Sequence, residues 1–317
     1  MNWGTISKYR NELFGVAIIS IITLHYFEDV GGGKLYLSFI GAIGVDIFIF
    51  LSGMGLCFSM KKNSNIKDFY IRRIRRILPT YLLVAGLFYI YQDLIYEKQS
   101  IFKFLSDLLF ITLFSEGNIT FWFIGFIILM YIMYPLFFDT LSFNNKYRNI
   151  YFVGYMMLSI AFIILVKMVD VDFYNKIILL ITRLPIFILG CYFGEKIYKE
   201  LNFSLIEVVI IVVGVILEIY HGLTGIGPEF FIRLLFSIPL MLGIIYILKL
   251  IKSEKVNNIL RIFGKYSLEL YMLHIVYRML LIDFHIKTTF LLYWSLAFIV
   301  LILSILVQKS LGVIRRR

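Results

Sequence analysis

Two of the four histidines, His25 and His274, lie inside long apolar runs, "FGVAIISIITLH" and "YSLELYMLH". A neutral imidazole can take a proton from a hydroxyl near physiological pH, as general-base catalysis requires. An ionisable ring in an apolar run is costly to bury, so its default reading is functional. The alternative is a ring hydrogen-bonded between helices for packing. His221 and His285 fall at the edges of apolar runs and read as solvated. Asp46, in "GVDIFIFLSGMG", is a second buried charge. It can orient His25 and steady an imidazolium, or pair with an arginine such as Arg183, and the sequence leaves both readings open.

The densest charge is "FYIRRIRRILPTY", with Arg72, Arg73, Arg75 and Arg76 just before a proline and a long apolar stretch. On a helix these side chains spread over about 160° of one face. Arg72 with Arg76, and Arg73 with Arg76, are one turn apart and can converge on one point. Like charges so close repel each other, which favours a bound anion. Arginine suits phosphate because its planar fork donates paired hydrogen bonds and keeps its charge. The rival reading is topology plus lipid headgroups. Gly53, Gly55, Gly190 and Gly194 read as sites of close helix approach. Trp122 fits an interfacial anchor as well as a substrate contact.

These groups must be held by membrane helices. The 317 residues are 61% hydrophobic and 16% charged, with a mean hydropathy of +0.89, against about 25% charge in a soluble domain. Apolar runs near spanning length recur throughout. They predict an all-α integral membrane protein, a bundle of about ten transmembrane helices near 11–27, 36–60, 78–96, 120–138, 149–169, 176–195, 205–220, 230–250, 266–284 and 290–311. The stretch 101–114 reads as interfacial or re-entrant. With a cytoplasmic N-terminus, 22 of the 31 Lys and Arg face the cytoplasm and six, Lys34 among them, face outward. That bias predicts that both termini are cytoplasmic. The +11 charge therefore reflects topology, and no nucleic-acid partner is expected. Cys57 and Cys191 both fall in predicted spans, so no structural disulfide is expected. Residues 1–317 read as one membrane domain with no appended soluble domain.

Taken together, "FGVAIISIITLH", "GVDIFIFLSGMG", "FYIRRIRRILPTY", "FWFIGFIILMYIMYP", "TRLPIFILGCYFG" and "YSLELYMLH", in that order, resemble the acyltransferase-3 family over nearly the whole chain. That family comprises multi-pass membrane enzymes that acylate cell-envelope sugars. The resemblance implies acyl transfer from cytoplasmic acyl-CoA, expected to be acetyl-CoA, to a hydroxyl of an extracytoplasmic cell-surface or lipid-linked carbohydrate. It implies His25 as catalytic base, with Asp46 beside it, and Arg73 and Arg76 as the CoA-binding pair, flanked by Arg72 and Arg75. Arg10, Trp122, Arg183 and His274 are candidate substrate or supporting residues. No metal is expected. The family's first-span arginine would fall at Phe14, so Arg10, one helical turn earlier, is the candidate replacement.

Counting rise along a helix, about 15–20 Å separates the basic rim from His25, comparable with an extended pantetheine arm. Without an outer domain, the protein either acylates its acceptor directly or hands over to a separate extracytoplasmic transferase. Residue usage rich in Ile, Phe, Tyr, Asn and Lys suggests a bacterial plasma membrane. The rival from another class is a transporter or flippase of lipid-linked glycans using a His/Asp proton relay.

Overall fold

The computed structural model describes residues 2–31, 35–224 and 229–316, apart from the side chains of 35–40, 42, 229–231 and 313–316. Lys34 and Arg317, counted in the topology, lie outside the described residues. Every regular element among them is helical. In chain order they are α1 (Gly4–Lys8), α2 (Arg10–Asp29), α3 (Leu35–Lys62), α4 (Ile66–Tyr89), α5 (Ile101–Leu108), α6 (Ile111–Ser115), α7 (Trp122–Thr140) and α8 (Arg148–Val169). Then come α9 (Val171–Ile181), α10 (Leu184–Tyr198), α11 (Leu205–Thr224), α12 (Glu229–Ile251), α13 (Glu254–Lys265), α14 (Ser267–Asp283) and α15 (Phe290–Arg316). The helix of α4 continues as a π-helical segment, Ile90–Tyr96.

Eight helices among the described residues are long and apolar enough to cross a membrane. They coincide with eight of the ten expected spans. The other two expected spans are helical but fall short by length or composition. One is α2, bracketed by Arg10, Glu12, Glu28 and Asp29, and the other is α14, 17 residues long. These are the two helices that carry His25 and His274. The stretch 101–114 forms two short helices hinged at Phe110, whose φ of 61° is left-handed. Large apolar side chains stand bare along α8 (Ile150, Met157, Leu158, Met168) and α11 (Leu205, Ile206, Val209, Leu223). Surfaces so apolar need hydrocarbon as their solvent.

The chain divides into two compact units. The first comprises Met1–Lys62, Phe137–Met156 and Arg183–Ser267. Here α3 packs on α2 and α10, α13 packs on α2, and α12 packs on α11. Small residues set these distances, as the sequence predicts. A Cβ on Gly53 would stand 2.6 Å from the Phe187 carbonyl oxygen, one on Gly194 2.7 Å from Cys57 Cβ, and one on Gly190 would overlap the Phe50 carbonyl. Cys57 and Cys191 are free thiols. The N-terminus plugs this unit. Trp3 is 0% exposed, stacks on Phe193 at 4.3 Å, and donates its indole N–H to Glu207 at 3.1 Å.

The second unit comprises Asn63–Leu136, Met157–Thr182 and Leu268–Arg317. Here α4 packs against α15 and α5, and α6 against α9. Asn65 caps α4 by accepting from Asp68 N–H at 3.0 Å, which starts the helix a full turn before the arginines.

Candidate active site

The first unit holds His25, Asp46, Arg183 and Arg10. Contacts between α2 and α3 set an antiparallel register, with Gly41 against Leu24, Gly44 against Ala17, Ser20 and Ile21, and Gly55 against Arg10. The rings of Phe14 and Phe48 lie 5.2 Å apart on the same pairing. His25 is half-buried near the far end of α2, about 22 Å of helix rise from Arg10. An imidazole in this setting is positioned by a rigid helix and still open to a reactant.

Asp46 is 3% exposed and sits two residues beyond Gly44 on α3. The register puts it level with the turn around Ala17, about eight residues and about 12 Å of rise short of His25. Its carboxylate pairs with Arg183, Nε to Oδ1 at 3.7 Å, and Arg183 is 7% exposed. Of the two roles the sequence leaves open for Asp46, the structure brings it together with Arg183. A buried carboxylate facing a buried guanidinium avoids the large cost of an uncompensated charge. Arg183 stands at the turn between α9 and α10, just before Pro185, so this pair fixes the start of α10.

Arg10 opens α2. Its guanidinium carbon lies 5.4 Å from the centre of the Phe14 ring. The charge thus reaches the level of Phe14 by lying along the helix, one turn from its own backbone. The three atoms nearest a Cβ built on Gly55 all belong to Arg10: Nη2, which it would overlap, Cζ at 3.2 Å and Nη1 at 3.6 Å.

The second unit holds the arginine cluster, which the structure divides. Arg72 donates from Nη2 to the Asn63 carbonyl at 3.0 Å, folding back on the cap of α4. The Arg73 guanidinium stands 5.7 Å from both the Phe69 and Tyr131 rings. Arg75 and Arg76 are exposed, as are the apolar Ile71 and Ile74 beside them. The cluster therefore presents one aromatic-held charge, one cap-held charge and two exposed charges. Trp122 is half-buried at the first turn of α7.

His274, also in the second unit, is 0% exposed. Its Nδ1 lies 2.9 Å from the Tyr271 carbonyl oxygen. A carbonyl only accepts, so Nδ1 carries a hydrogen in this contact. The rings of Tyr271 and Tyr277 flank it at 6.1 and 6.0 Å.

Sequence reasoning read Gly55 only as a site of close helix approach and passed over Tyr131 and one polar cluster. Gly55 and Tyr131 touch candidate arginines from distant segments, so no local spacing announces them. That polar cluster ties together the stretch between the π-helical segment and α7. There Asp107, 2% exposed, accepts from Thr112 and Asn118 and pairs with Lys103 at 3.1 Å. Burial pulls the Lys103 ammonium down, but its bonds to Glu116 and Asp107 outweigh that and raise its pKa above the ordinary lysine value.

No group of three or more His, Cys, Asp or Glu able to hold a metal occurs among the described residues. No curated protein and no solved structure matches the chain. The acyltransferase-3 profile, described as an acyltransferase domain, matches residues 15–309, from the turn after Arg10 to the last turns of α15. This multi-pass helical membrane protein therefore belongs to the acyltransferase-3 family.

Proposed function

We propose that the protein transfers an acyl group, expected to be acetyl, from cytoplasmic acyl-CoA to a hydroxyl of an extracytoplasmic cell-surface or lipid-linked carbohydrate. The observation that carries this reading is the half-buried His25 on α2, inside a family match that covers nearly all of the chain. His25 removes the proton of the acceptor hydroxyl as its oxygen attacks the thioester carbonyl. The C–O bond forms, the C–S bond breaks, and the CoA thiolate takes the proton back from the imidazolium. Arg72, Arg73, Arg75 and Arg76 hold the donor's phosphates by charge-assisted, forked hydrogen bonds. Asp46 and Arg183 act together as a buried pair that supports α3 and α10 around the site. Both termini lie in the cytoplasm of a bacterial plasma membrane, and α2 and α14 complete a set of ten spans despite their charges.

The test uses purified protein in lipid vesicles with radiolabelled acetyl-CoA and an envelope-glycan extract as acceptor. Label on carbohydrate, matched by free CoA, is the expected result. Neither label transfer nor CoA release, with acetyl-CoA or a longer acyl-CoA, would instead point to a transporter of glycans and sink the proposal.

A further inference from the structure

We infer that Gly55 is a positioning residue for Arg10: its missing side chain forms the notch that fixes the Arg10 guanidinium between α3 and the Phe14 ring, where the charge meets the anionic end of the acyl donor. This rests on the donor reading proposed above. The two nearby glycines of α3 face different neighbours. Gly53 meets backbone, the Phe187 carbonyl oxygen at 2.6 Å and Cys191 N at 3.0 Å, so it is there to let two helices touch. Gly55 faces the end of a long side chain from another helix, and the three nearest atoms are all guanidinium. A methyl group at Gly53 must push helices apart. One at Gly55 need only turn Arg10 away, which leaves the fold standing and moves the charge. A planar guanidinium backed by an aromatic face keeps its donors in one orientation, which is the preorganisation that forked phosphate binding uses.

The experiment is a double-mutant cycle of Gly55→Ala and Arg10→Ala on the full chain in detergent, read by two measurements. The first is unfolding. With Arg10 present, Gly55→Ala lowers or leaves unchanged the unfolding temperature. With Arg10 removed, the guanidinium that the added methyl would overlap is gone and the alanine's better helix propensity raises it. Gly53→Ala lowers it in both backgrounds. The second is the Kd for CoA. Each single variant weakens binding about tenfold, the loss of one charge-assisted bond, and the double variant is no worse than either.

Equal shifts from Gly55→Ala in both backgrounds, in either measurement, would overturn the positioning role, because the methyl would then act through something other than Arg10. A folded wild type that fails to bind CoA overturns the donor reading, and the anion role with it. The unfolding cycle still decides the notch separately.

Discussion

The two histidine-bearing helices differ in what surrounds the ring. Helix α2 holds His25 half-buried, on a stretch braced against α3 by Gly41 and Gly44. Helix α14 closes completely over His274, ties its Nδ1 to the chain three residues back, and places tyrosine rings on either side. Both are buried imidazoles by composition. Only one has surface to offer a reactant, while the other has the environment of a packing element whose polar edge is satisfied internally. Access, more than residue type or depth in an apolar run, separates a candidate base from a structural ring.

The largest expected effect falls on the open ring. His25→Ala removes the general base and lowers acyl transfer by about 10³-fold, within the usual span for losing such a group. The unfolding temperature in detergent should stay near that of wild type, because a half-buried side chain at the end of a helix leaves little cavity. Near-normal transfer by a folded His25→Ala protein would dissolve the contrast between the two helices.

The closed ring should behave in the opposite way. His274→Ala leaves a void among Tyr271, Tyr277 and their neighbours, and it destabilises the protein by about 3 kcal/mol, the usual cost of truncating a large buried side chain. Transfer per folded molecule should change only slightly. Unfolding curves and activity normalised to folded protein separate the two effects. A stable His274→Ala protein with no activity would show that His274 does chemistry from a site closed in this state.

Much of this was legible in the sequence because membrane helices advertise themselves. Eight apolar runs became eight helices of spanning length, and the arginine run became helical where the spacing put it, behind an Asn65 cap. Gly53 of α3 and Gly190 of α10 touch backbone, as small residues in apolar helices usually do, while Gly55, read as another site of close helix approach, meets a side chain instead. What could not be read were pairings between distant segments. Trp3 with Glu207, Arg10 with Gly55 and Arg73 with Tyr131 join residues that no periodicity connects. The role of Asp46 was undecided for the same reason, since the sequence gives no register between α2 and α3. The charges that keep α2 out of the spanning set are not all at the surface. Glu12, for example, is 2% exposed and accepts from Arg261 at 2.7 Å.

A smaller version of the open-versus-held contrast exists within α4 and supplies the finest prediction. Arg73 is backed by Phe69 and Tyr131, whereas Arg75, two residues on and so near the opposite side of the helix, is exposed. For a base, openness is an advantage because the proton must be reached. For a phosphate-binding cation the order reverses: an exposed arginine must give up hydration to bind, and one packed against rings has already lost much of it. Arg73→Ala should therefore weaken CoA binding about tenfold and Arg75→Ala only about twofold. The exposed Lys67→Ala serves as the control for plain surface charge. Lys61 cannot serve, because its ammonium holds the buried Glu195 carboxylate at 2.7 Å and its loss would disturb the fold as well as the surface charge. Isothermal titration of CoA at two salt concentrations makes the comparison. Screening should shrink the Arg75 effect more than the Arg73 effect. Equal losses from Arg73, Arg75 and Lys67, all vanishing with salt, would reduce the cluster to a basic rim facing lipid headgroups.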